Sequence, residues 1–132
     1  VNRWKDWYEQ GERDLERAKL DIQHGYYEWA CFTARQSSEK FLKALGLYLC
    51  IDLWGHSLVP MLKIISDKAR IEADHLIPYS AELDKYFIPT RYPNVFASGK
   101  PSDYYTIEDA KRAIRSANNI RGFCERYISE QG

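Results

Sequence analysis

Residues that interrupt helices are scarce in the first two thirds of the chain. The first proline is Pro60, the second is Pro78, and the other three crowd together as Pro89, Pro93 and Pro101. An excess of either charge is also missing. With 19 basic and 19 acidic residues, no global field draws the molecule towards nucleic acid or an anionic membrane, although a local patch is compatible with that balance. Histidine is sparse: His24, His56 and His75 fall in separate connections and form no i, i+4 pair, so no metal site or cofactor is expected. Cys31, Cys50 and Cys124 form no CxxC pair and read as small apolar residues of a reducing compartment. No apolar run is long enough to span a bilayer and no leader-like segment opens the chain, so a cytoplasmic protein is expected. Gly-rich phosphate loops, HExxH and GxSxG are absent, as are strand-like alternation, Asn-Gly turns and internal repeats.

What is present is helical periodicity. Hydrophobic residues make up 45% of 132 residues and aromatics 14%, enough to build one core and one domain over residues 1–132. The organising stretch is Tyr27 to Cys50, which holds no proline and one late glycine, Gly46. As a helix it is roughly 35 Å long. Ala30, Ala34, Ser37, Phe41, Ala44 or Leu45, and Tyr48 draw one apolar stripe, while Trp29, Phe32 and Leu42 lie off it. A helix apolar on several sides is expected at the centre of a bundle. Before it, Trp4, Tyr8, Gly11, Leu15, Ala18 and Ile22 form a packed seam on an Asn2–Gln23 helix whose other face is charged. His24-Gly25 then makes a short connection that sets the two helices antiparallel.

Ser57 is expected to cap a short third helix ending near Ser66, and a fourth is expected from Asp74 to Phe87. Thr106, with Asp109 three residues on, starts the last helix. Between Lys111 and Arg121 that helix carries four cations and no acid, a modest basic patch. The expected fold is all-α, an up-and-down bundle of about five helices, four long or medium and one short.

Two groups of residues stand out. In the central helix Gln36, Glu39, Lys40 and Lys43 are polar, and Glu39 and Lys43 have the favourable i, i+4 order. Such a pair either positions Lys43 towards a phosphate or partner, or simply closes the core rim. The second group lies in Pro89–Tyr105, an aperiodic stretch too long for a plain connection yet rich in aromatics that pack. Here Arg91, Tyr92, Lys100, Tyr104 and Tyr105 offer a planar cation and stacking faces; alternatively Arg91 ties the loop to a helix C-terminus. His56 follows Trp54-Gly55 and either touches a ligand or closes its turn.

Several of these runs match a known pattern. They are the Trp7–Ala18 spacing with Gly11 where alanine is usual, WACFTARQSSEKFLKALGLYL from Trp29, GHSL from Gly55, and LDKYFIPTRYP from Leu83 followed by YYT. Over nearly its whole length the chain resembles the HEPN domain family of nucleotide-binding helical domains. The resemblance implies an up-and-down bundle, frequently a homodimer, often working beside a minimal nucleotidyltransferase as a toxin–antitoxin pair. Many family members are metal-independent RNases that use an arginine and a histidine four to six residues apart, contributed by two subunits. Downstream of Arg91 this chain has no histidine. Arg70 and His75 have the spacing, but in the linker before the fourth helix. The sequence is therefore read as a non-catalytic HEPN module. Its nucleotide- or partner-binding residues are Glu39, Lys40, Lys43, His56, Arg91, Tyr92 and Tyr105, and an RNase with Arg70 and His75, or a purely structural dimer, is the alternative.

Overall fold

The computed structural model describes residues 2–131, with side chains through residue 129; Val1 and Gly132, the ends of the expected domain, lie outside it. Among the described residues six helices follow one another: α1 (Trp4–Gln23), α2 (Tyr27–Tyr48), α3 (Leu58–Ala69), α4 (Ile77–Asp84), α5 (Pro101–Tyr104) and α6 (Ile107–Gln131). Two 3-10 turns, Asp74–Leu76 and Pro93–Val95, join them, and there is no strand among the described residues. The all-α bundle expected from periodicity is the fold. α2 packs against α1, α3, α4 and α6 and is its centre.

The seam on α1 buries Gly11, Leu15 and Ala18 against α2, with Trp4, Tyr8 and Ile22 half-buried beside them. Gly11 sits at the closest approach. A Cβ there would stand 2.9 Å from Cε1 of Phe41 and 3.2 Å from the carbonyl oxygen of Ser37, so no larger residue fits without movement. Ser37 Oγ fills the remaining gap by donating to the Gly11 carbonyl at 2.6 Å. At the turn Gly25 has φ +81°, the left-handed conformation that lets so short a connection reverse the chain.

Four local expectations are corrected. Ser57 makes no side-chain cap to α3. The Asp84 carboxylate at the end of α4 takes that role, accepting from Leu58 N at 2.7 Å and Val59 N at 3.1 Å. An aspartate from another element satisfies the same orphan donors and also joins the two helices. The expected Asp74–Phe87 helix is a 3-10 turn followed by α4, which ends at Asp84, and α3 runs on to Ala69. Trp29 in the first turn of α2 is 43% exposed, so the central helix is not enclosed at its start.

The Pro89–Tyr105 stretch is ordered by its own contacts. Thr90 Oγ1 donates to the Tyr86 carbonyl at 2.9 Å. Phe96 and Tyr104 stack with centroids 4.1 Å apart, and Tyr104 Oη donates to the Ser98 carbonyl at 2.5 Å. Thr106 and Asp109 make the reciprocal capping contacts that start α6. The basic patch on α6 is half-neutralised: Arg112 pairs with Asp109, and Arg121 with Glu12 of α1.

Candidate functional site

On α2 the residues Arg35, Glu39 and Lys43 follow at steps of four and therefore stack in one row. Glu39 is the hub. Its Oε1 accepts from Arg35 Nη1 at 3.0 Å, and its Oε2 accepts from Lys43 Nζ at 3.0 Å. The same Oε2 lies 3.1 Å from Nδ1 of His56, which arrives from the turn before α3. Burial works against the Glu39 charge, but the hydrogen bonds from His56, Lys43 and Arg35 outweigh it and hold the carboxyl below its ordinary value.

Arg35 is the residue sequence reading missed. It is 1% exposed, one of the largest fully buried side chains, and it also donates to Gln36 Oε1 at 2.6 Å and to the His56 carbonyl. The signal in the sequence is the R-x3-E-x3-K ladder, whose Arg35–Glu39 rung has the less favourable order for an i, i+4 pair. An arginine so buried has to be matched, and here its guanidinium lies 4.3 Å from the centroid of Phe87.

Phe87 carries the cluster across to the long loop. His56 stacks on it at 5.7 Å, and the Arg91 guanidinium carbon lies 4.9 Å from its centroid. Arg91 also lies over Phe32 at 4.3 Å and Tyr92 at 5.1 Å, while its Nε donates to the Phe87 carbonyl at 2.8 Å. Arg91 is thus tied to the bend after α4, three residues past the end of that helix. Among the described residues, however, Arg91 has no carboxylate partner, and neither Nη donates to a protein atom.

Glu39, Lys43, His56, Arg91 and Tyr92 are therefore brought together, directly or across Phe87. The other proposed residues lie apart. Lys40 turns towards α1 and pairs with Asp14. Tyr105 packs edge-on against Tyr86 at 5.9 Å, and burial pushes its hydroxyl up to about 12. Arg70 ends α3 in the left-handed conformation, and His75 sets its ring against Phe123 at 6.1 Å; no described contact joins the two. Lys43 also faces Trp7 at 5.6 Å, on the wall of a hollow of about 450 Å³ completed by Asn2, Leu47, Cys50, Asp52 and Leu53 among others.

Chemically, the face combines the cations Arg35, Lys43 and Arg91, one buried carboxylate, an imidazole whose Nε2 has no partner among the described residues, and flat aromatic surfaces. Known proteins place the chain. A solved structure from Thermus thermophilus, TT1696, is 36% identical with a TM-score of 0.90, covering 96% of this chain and 98% of that one. ST0689, described as an archaeal HEPN homologue, is 36% identical with a TM-score of 0.82, covering 97% and 99%. A Methanocaldococcus jannaschii protein named "Putative toxin MJ1304" is 24% identical over 135 residues, 96% of this chain and 89% of that protein. The HEPN domain model matches residues 4–127, and the chain belongs to the HEPN domain family.

Proposed function

We propose that this chain is the HEPN member of a toxin–antitoxin type pair, a dimerising module without nuclease activity. Its Phe87-centred face would bind the phosphate of a nucleotide, either free or held by a minimal nucleotidyltransferase. One observation carries the reading. Arg91 is fixed on three aromatic rings and by its Nε, yet leaves both Nη groups without a protein acceptor among the described residues. A guanidinium already ordered in this way loses little freedom when it takes two phosphate oxygens. The toxin name carried by the Methanocaldococcus relative supports the pairing. Calorimetric titration with ATP, GTP and the purified nucleotidyltransferase tests the proposal. Binding is expected, and Arg91→Ala should weaken it about tenfold or more, the loss of a charge-assisted bond. A folded protein that gives no heat with any of the three ends this reading.

One observation favours a second reading, a metal-independent RNase. His56 is oriented by Glu39 through Nδ1 and shares the Phe87 ring with Arg91, so a histidine and an arginine distant in sequence border one aromatic ring. Incubation with labelled RNA in EDTA separates the two. Cleavage abolished by His56→Ala would establish the second reading, and intact RNA would remove it.

A further inference from the structure

The corner where α1 turns into α2 holds another hollow, of about 350 Å³, which shares no lining residue with the Glu39 cluster. Its walls are Arg17, Leu20, Asp21, His24, Tyr26 and Trp29. Leu20, Tyr26 and Trp29 are large apolar side chains left exposed at the surface. Asp21 is the opposite, a carboxylate only 5% exposed. Its Oδ1 accepts from Arg17 Nε at 3.1 Å, and its Oδ2 is buried with no hydrogen-bond partner among the described residues.

A buried carboxylate oxygen without a donor is a costly arrangement, and native proteins rarely keep one unmatched. Aromatic bodies beside it present electron-rich faces, and Leu20 presents an aliphatic one. The complementary group has N–H donors, positive charge and a short alkyl stem. Anions are disfavoured by Asp21, and purely apolar guests leave Oδ2 unmatched. Arg17 is of like charge, but its side chain is 67% exposed, so water screens it, and it occupies the other oxygen.

We propose that this corner is a binding site for an alkylguanidinium or alkylammonium group, whose charge is matched by the Asp21 carboxylate and lies against Trp29 and Tyr26. The volume suits one amino-acid-sized head. The group arrives either as a small amine or as an arginine or lysine side chain of another protein.

Nuclear magnetic resonance titration of the full chain tests this, with n-butylguanidinium, a capped Gly-Arg-Gly peptide and n-butanol as the neutral control. The charged probes should shift the Trp29 indole and Asp21 amide signals, and butanol should not. Tighter binding of the peptide would assign the site to a protein side chain, and equal or tighter binding of butylguanidinium to a free amine. Asp21→Asn should weaken binding at least about fivefold, whereas Arg17→Ala should strengthen it by removing a like charge. If Asp21→Asn fails to fold, Trp29→Ala, at an exposed position, should still weaken binding. Silence of the wild-type signals, equal response to butanol, or unchanged affinity in the variants would overturn the proposal. Nucleotide titrations should be untouched by Asp21→Asn, so the two sites fail or stand separately.

Discussion

Arg35 and Glu39 lie one helical turn apart on α2, and both are buried. Two charges out of water are tolerable only together. Glu39→Ala would strand the Arg35 guanidinium on Phe87 with only amide and carbonyl acceptors, and should cost about 3–5 kcal/mol by denaturant unfolding at pH 7. The pH dependence has a definite sign. The folded Glu39 carboxyl titrates below its ordinary value of 4.5, so its stabilisation is full above that pH and is lost as pH falls through the lower folded value. Wild type should therefore weaken more than Glu39→Gln between pH 5 and about pH 3, and equal acid loss in the two would show that Glu39 is not the responsible group. This hub was half legible. The Glu39–Lys43 rung follows from spacing alone, but the burial of Arg35 does not, because spacing does not reveal which side of a helix a charge is forced into.

At the scale of elements, two junctions carry more than their composition suggests. Asp84 closes the N-terminus of α3 from the end of α4, so Asp84→Ala removes two hydrogen bonds and a link between helices. A loss of about 1–2 kcal/mol is expected, and Ser57→Ala should be nearly silent by comparison, both read from thermal melts. Ser57 is a good capping residue by type, and local sequence has no way to show that a carboxylate from another helix arrives first. Gly11 is the other junction. Helix propensity favours Gly11→Ala by about 1 kcal/mol, but the new Cβ meets Phe41 and the Ser37 carbonyl. Overpacking should win, with a net loss of about 1–2 kcal/mol on chemical denaturation. The periodicity marked Gly11 as a seam position, and only the crossing of α1 over α2 explains why that position holds no side chain.

For the whole molecule, some of the exposed aromatic and aliphatic groups lie beside the Arg91 face. Trp54, Ile88 and Tyr92 stand in the segments that carry His56, Phe87 and Arg91. We expect a homodimer to cover part of this surface. Sedimentation equilibrium should show concentration-dependent association, and Tyr92→Glu should weaken it about tenfold or more by placing a charge in a desolvated contact. A chain that stays monomeric at high concentration would remove the dimer and leave the Arg91 face to ligands alone.

The amino-acid order by itself determined the helical class, the central place of Tyr27–Tyr48, the turn at Gly25 and the capping box at Thr106, because each depends on residues within one or two turns of each other. Only the tertiary structure decided which charges meet. His56 reaches Glu39 across 17 residues and Lys40 reaches Asp14 across 26. Such pairings depend on how the helices are rotated against one another. The packing of Leu15, Phe41, Leu62 and Ile120 in the common core sets that rotation, and no local pattern records it.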